Sequence, residues 1–473
     1  MHRAAAIIAA LAPTLALACH PHLERRGPVN AARGLDRSSE AAEALITDPQ
    51  TECSYYSYPP ANDIINTYPT IWATADLSNP GISAADRALF ASINSSIPNI
   101  PVRGNRYGDF SGIQYDKQAD PDCWWSSTHC VTPKLPGLLN DTVACNEANT
   151  WGLTLDDGPN CSHNAYYDYL QSQNQKATLF YIGSNVLDWP LEAQRGLADG
   201  HELCAHTFSH PYMTGLTNEQ VFAELYFSKK AIKEVTGVTV RCWRPPYGDV
   251  DDRVRYIASK LDMRTVVWNE DTDDWNWSNV GMAAVRANYQ GILDDQTAGK
   301  FDRSGTIVLT HELDNGTMAL SKEFLPHIRQ QFVGGVMPVA VCSNNTRPYV
   351  ETADYVYPDY AQWAAGTTTV SLASPTAGAV ASLLFSPSPA PTSASSSATG
   401  ASASATASGS ATSASTTSSD MSRTAIATAS RASASAAASS VKSVKDHTSA
   451  GVAQFSLQAP ALLFAAIGLG ICL

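Results

Sequence analysis

Positive charge is scarce in this 473-residue chain. Its 31 lysines and arginines are outnumbered by 44 aspartates and glutamates, and the formal charge of -13 with a pI near 5.2 argues against a nucleic-acid partner, which requires a basic surface. Long apolar runs are also missing. The C-terminal run, residues 459–473, falls short of the roughly 20 residues of a membrane span, and no basic residue follows it as a cytoplasmic stop. From about 386 to 450 nearly everything except Ser, Ala and Thr is absent, so no core can form there. Residues 51–143 lack long periodic segments and are rich in Pro, Asn, Ser and Tyr, which predicts an irregular extension packed on a more regular domain.

The two ends carry processing signals. Residues 1–18 hold Arg3 and then an apolar run ending Ala16-Leu17-Ala18, the pattern of a secretory signal peptide. Arg25-Arg26 follows as a candidate second cleavage, making residues 19–26 a short propeptide. At the other end, small residues centred on Ser449 and a short spacer precede the apolar tail, which fits a glycosylphosphatidylinositol (GPI) signal attached at Ser449 with residues 451–473 removed. The Ser/Thr-rich tract, residues 386–450, reads as a stalk. An oxidising compartment suits the cysteines. With Cys19 at the expected cut and Cys472 in the tail, Cys53, Cys123, Cys130, Cys145, Cys161, Cys204, Cys242 and Cys342 remain, an even set expected to form disulfides. Glycosylation sequons stand at Asn94, Asn140, Asn160, Asn276, Asn315 and Asn344, although Cys161 crowds the one at Asn160.

Regular structure is expected between Cys145 and Cys342. Apolar runs at 151–155, 177–182, 202–205, 240–243, 264–268, 306–310 and 337–341 read as strands, with amphipathic stretches between most of them. Residues 217–235 form the clearest helix, opened by a Thr217/Gln220 capping box. Seven strands alternating with helices predict an α/β fold, a parallel barrel or else an open doubly wound sheet. In both, functional groups gather at the carboxyl ends of the strands.

Polar clusters stand at those ends: Asp156-Asp157, His206 with His210, Arg244-Pro-Pro-Tyr247, Asp271 to Trp275, and His311. Singly each has an ordinary explanation. Asp-Asp-Gly-Pro is a turn or helix cap, a His-x-x-x-His pair lies on one helix face or on a turn before Pro211, RPPY is a rigid turn, and a histidine after an apolar strand is a satisfied core residue. Together they supply one rim with the groups of a hydrolase. Two imidazoles and a carboxylate make an open site for zinc or a similar cation, and a second carboxylate can take a proton from water. Adjacent side chains at a strand end diverge, so the two aspartates can divide these tasks.

In this order the motifs TLDDGP (154–159), HTFSH (206–210), RPPY (244–247), DTDDW (271–275) and LTH (309–311) resemble the polysaccharide deacetylases of the NodB-homology type, carbohydrate esterase family 4, and most closely the fungal chitin deacetylases. Leu155 stands where that family usually has Phe. The resemblance spans roughly Cys145 to Cys342 and implies a distorted (β/α)7 barrel-like domain over residues 145–345, preceded by the extension to 144 and followed by a further extension over 346–385. It implies Asp157, His206 and His210 as ligands of one divalent metal, zinc first and cobalt second. It makes Asp156 the general base, held ionised and oriented by Arg244, and His311 the general acid, oriented by Asp274 in preference to Asp271. The backbone N–H of Tyr247 would donate to the oxyanion, and Trp275 and Leu309 would line the acetyl pocket.

The implied reaction is hydrolysis of N-acetyl groups in chitin or its oligomers by a monomer tethered outside the plasma membrane or in the wall. De-esterification of acetylated xylan is an alternative, as is a wall mannoprotein that only binds glycan. A pairing of Cys145 with Cys342 would close the catalytic domain. Trp275 and Trp277 are candidate sugar-stacking residues, whereas Trp124 and Trp125, beside cysteines, read as structural.

Overall fold

The computed structural model describes residues 35–351, 355–366 and, for the backbone, 371–372. These belong to the first of two compact units, Met1–Pro391. The second unit, Thr392–Leu473, lies outside the described residues, as do the expected signal peptide, the dibasic pair, the stalk, Ser449 and the removed tail.

Eight strands build the main sheet: β1 (Thr150–Gly158), β2 (Thr178–Tyr181), β3 (Glu202–Ala205), β4 (Cys242–Trp243), β5 (Arg264–Thr265), β6 (Glu270–Asp271), β7 (Thr306–Leu309) and β8 (Gly335–Met337). All pair in parallel, in the order β5-β4-β3-β2-β1-β7-β6, with β8 added beside the start of β1. β1 is buried along almost its whole length, as expected for a central parallel strand covered on both faces.

The two ends of this path are consecutive in sequence, and that fact closes the barrel. Val266 N still donates to Trp243 O of β4, while Asn269 N donates to Ile307 O of β7. Three residues of extended chain span at most about 11 Å, so the sheet must curl until its edges nearly meet. The architecture is a barrel-like, incompletely hydrogen-bonded (β/α) ring. An open doubly wound sheet is excluded, because its edge strands would lie far apart.

Six of the expected strands coincide with observed ones, the first running longer as β1 and the fourth and fifth shortened to two residues. The seventh differs. Residues 335–337 form β8, but Val339–Cys342 is a helical turn with Pro338 at its N-cap. Proline has no N–H for a ladder, and the next two amides are taken by side chains, Val339 N by Thr178 Oγ1 and Ala340 N by Glu202 Oε2. β6 was not expected, because two acidic residues give no apolar signal. The helix Asn218–Thr236 begins with the Thr217/Gln220 capping box and ends at Gly237, whose φ of 89° is the left-handed geometry that glycine takes without cost.

Disulfides join Cys53 to Cys161, Cys123 to Cys130, Cys145 to Cys342 and Cys204 to Cys242. The segment before β1 holds short helices and turns, and it enters the core. Tyr68 and Ala75 are fully buried, Tyr68 donates to Glu234, and Ala75 N donates to Glu224 Oε1 at 2.7 Å. Among the described residues no helix is long and apolar enough to cross a membrane.

Candidate active site

The end of β1 sets the geometry. Its register with β2 slips between Asp156 and Gly158, and Asp157 has a left-handed backbone with φ 72°. Such a bulge re-aims a side chain. Instead of diverging as in a regular strand, both carboxylates approach one atom: His206 Nε2 lies 3.8 Å from Asp156 Oδ2 and 3.5 Å from Asp157 Oδ1. Gly158 follows because a Cβ there would collide with the Glu312 carboxylate.

The histidines leave β3 on a loop, not a helix. Thr207 and His210 both have positive φ, 63° and 59°. His210 Nε2 is 3.1 Å from Asp157 Oδ1. Each ring uses its other nitrogen elsewhere, His206 Nδ1 at 2.9 Å from Arg244 O and His210 Nδ1 at 3.2 Å from Tyr247 Oη. Such partners fix the tautomer and leave Nε2 free to ligate.

The donors fit a divalent cation. Asp157 Oδ1 is buried with no hydrogen-bond partner, and it lies within 4.8 Å of the two Nε2 atoms. Burial alone would raise the Asp157 carboxyl, but His210 and His206 outweigh it and hold it well below the usual range. Two other groupings, around Cys123/Cys130 and Cys204/Cys242, are excluded because those sulfurs are disulfide-bonded and offer no thiolate.

Arg244 ties the rim together. Fully buried, it donates from Nη1 to Asp156 Oδ1 at 2.7 Å and to Thr154 Oγ1 at 2.9 Å, and its guanidinium lies 4.1 Å from the Phe180 ring centroid. Asp156 Oδ1 is thereby anchored, and Oδ2 turns toward His206. A parallel bridge pairs Asp156 with His311 and so sets both at one level of the barrel. His311 Nδ1 is 2.6 Å from Asp274 Oδ1, and its backbone N donates to Asp274 Oδ2 at 2.9 Å. Burial works against a charged ring, yet the Asp274 carboxylate outweighs it and His311 is pushed up to about 10. Asp271 instead accepts from Asp273 N, and burial raises it to about 6.

Tyr247, in left-handed conformation, and Trp275, on the turn that carries Asp274, are about half exposed, while Leu309 is buried at the end of β7. Trp277 is committed elsewhere. Its Nε1 donates to Asp314, and its ring fills the space a side chain at Gly316 would need. Trp124 is buried and donates to Asp249. Trp125 stacks on His129 at 4.6 Å. Of the sequons, Asn94, Asn140, Asn315 and Asn344 are exposed, and Asn160 and Asn276 are half-buried. The Asn160 amide nitrogen donates to Leu313 O.

One residue that shapes the site escaped the sequence reading. Glu224, buried on the helix Asn218–Thr236, accepts from Phe208 N and Ser209 N at 2.8 Å and from Ser209 Oγ at 2.6 Å, and so fixes the loop between His206 and His210, the two candidate ligands. Its signal was present as an acid on the apolar stripe of that helix, between Val221 and Leu225.

The chain is similar to proteins of known kind. Residues 144–266 match the family model described as polysaccharide deacetylase. Chitin deacetylase 2 of Cryptococcus neoformans var. grubii is 47% identical over 341 residues, covering 71% of this chain and 74% of that one. Chitin deacetylase of Amylomyces rouxii is 48% identical over 313 residues, covering 65% and 74%. Among solved structures, that of the chitin deacetylase from Colletotrichum lindemuthianum aligns with 46% of this chain and 96% of its own, at 20% identity and a TM-score of 0.41.

Proposed function

Because the chain belongs to the polysaccharide deacetylase family and is a deacetylase hydrolase, we propose that it removes N-acetyl groups from N-acetylglucosamine residues of chitin, releasing acetate. The observation that carries this reading is the single rim holding Asp156 on Arg244, Asp157 with two histidines, and His311 on Asp274. The substrate is inferred from the relatives, which are named for chitin.

A divalent cation held by Asp157, His206 and His210 would supply a Lewis acid that acidifies water and polarises the acetyl carbonyl; one carboxylate and two imidazoles suit zinc, with cobalt as alternative. Asp156 Oδ2 accepts a proton from the attacking water while Arg244 keeps Oδ1 in place. Oxygen bonds to the carbonyl carbon, and the Tyr247 backbone N–H donates to the oxygen on which charge gathers. His311 Nε2 then delivers its proton to the amide nitrogen, because an amine leaves poorly unless protonated. The C–N bond breaks to give acetate and a free amine on the polymer. The high pKa of His311 keeps that proton available at neutral pH.

We further propose that residues 145–345 act as the catalytic domain of a secreted monomer tethered through Ser449, where the substrate is the cell's own wall. The test is acetate release from N-acetylglucosamine oligomers, with chelator, zinc add-back and an Asp156→Asn control. Asp156→Asn is expected to bind zinc while losing about 10²- to 10⁴-fold in turnover, the usual worth of a general base. Retained turnover in zinc-loaded Asp156→Asn would refute the base, and release from acetylated xylan alone would refute the substrate.

A further inference from the structure

Loop 103–113, in the segment before the barrel, is pinned to the turn that follows His210. Arg103 N donates to Thr214 O at 2.9 Å, and Tyr212 N donates to Arg106 O at 3.1 Å. The contact is too close for extra atoms: a Cβ at Gly215 would strike the Asn105 backbone, and one at Gly108, which has φ 77°, would strike the Tyr212 ring. Phe110 packs edge-on to Tyr212 with centroids 5.6 Å apart. Tyr212 lies flat on Tyr247, 4.0 Å away and 5° from parallel, and the Tyr247 hydroxyl reaches His210. An aromatic path therefore runs from a candidate metal ligand out to this loop.

Tyr107 stands on this loop between Arg106, whose carbonyl holds Tyr212 N, and Gly108, whose backbone meets the Tyr212 ring. It is 78% exposed and Tyr247 is 48% exposed. The Arg106 guanidinium sits 5.2 Å from the Tyr107 ring centroid and is itself tied to Thr74 Oγ1. A single exposed tyrosine is ordinary. Here the tyrosine is one residue from Gly108, whose backbone closes on the Tyr212 ring of a stacked pair that reaches the site, and its rigid ring offers flat area at little cost in conformational entropy. Pyranose rings present flat C–H faces that match such a surface.

We propose that Tyr107 is a positioning residue that stacks on a sugar unit beyond the reacting one, so that the segment before the barrel lengthens the substrate groove past Tyr247. Tyr107 lies outside the residues matched by the family model, so this grip is an addition to the catalytic domain. The inference rests on the deacetylase reading above.

The test compares Tyr107→Ala, Tyr107→Phe and wild type, as zinc-loaded full chain, on the dimer and hexamer of N-acetylglucosamine. In Tyr107→Ala the ratio of hexamer to dimer kcat/KM should fall about fivefold, the worth of one aromatic contact, with the loss in KM and not in kcat. Tyr107→Phe, which keeps the ring, should restore the ratio. A ratio unaltered in Tyr107→Ala, or a loss carried by kcat, would overturn the role of Tyr107. Absence of acetate release from wild type on both oligomers would overturn the underlying reading instead.

Discussion

Asp274 shows how one carboxylate sets the task of another side chain. It meets both the ring and the backbone N–H of His311, and its charge keeps the imidazolium stable up to about pH 10. The sign follows directly: a raised histidine pKa means the acid form is present below it and lost above it. Asp274→Asn removes the negative partner and lets burial lower the pKa, so the alkaline limb of the kcat/KM profile should move to lower pH. Turnover should also fall by about 10²-fold or more. A pH–rate profile with an unmoved alkaline limb would refute this assignment. Asp156, Asp157, His206, His210, Arg244 and His311 were legible in the sequence as types at strand ends. What was not legible was that a bulge at Asp157 turns neighbouring side chains toward one histidine, because register slips leave no compositional trace.

At the scale of elements, the helix Asn218–Thr236 was readable from its period and cap, but its contribution to the site was not. Glu224 reaches out of that helix to three groups of the 206–210 loop and to Ala75 of the preceding segment. It acts on the candidate ligands His206 and His210 through the backbone between them. Glu224→Gln replaces one of the two acceptor oxygens by an NH2 donor that faces N–H or O–H groups, and zinc affinity should weaken by about 10- to 100-fold, as for other residues that orient ligands. Competition with a chromophoric chelator measures this, and an unchanged affinity would assign Glu224 to packing alone. Strands were legible where they were long and apolar. They were missed where two acidic residues made β6, and misread where Pro338 diverts an apolar run into a helical turn.

Across the molecule, the preceding segment is an integral part of the fold and carries a sensitivity to pH. The short helices Glu40–Glu43 and Pro49–Glu52 place Glu43 and Glu52 beside Glu192, all three fully buried. Arg37, Arg195, Tyr56 and Asn164 face them. Burial raises Glu52 to about 9 and Glu192 to about 8. A carboxyl raised on folding takes up a proton, so its stabilising effect is complete below the unfolded value of 4.5 and is lost as pH climbs through the folded one. The melting temperature should therefore fall between pH 6 and pH 9, and Glu52→Gln, neutral throughout, should flatten that slope. Equal slopes in the two proteins would exclude Glu52 as a source. None of this was visible in sequence, where Glu43, Glu52 and Glu192 stand far apart and nothing marks them as buried together.

The pairing of β1 has a consequence for how the chain is made. One edge of β1 takes β2, which follows closely, along Thr154–Gly158 and then β8 along Thr150–Gly152, but its other edge waits for β7, so that Trp151 lies between Thr306 and Val336. During synthesis from the N-terminus that edge stays open until nearly the whole ring has emerged, and an unpaired parallel edge invites pairing with other chains. A product stopped at Asp302 lacks both closing strands. It should accumulate as aggregate or on chaperones, whereas a product ending at Gly366 should be recovered in the soluble fraction; soluble recovery of the shorter one would show that the ring tolerates being left open.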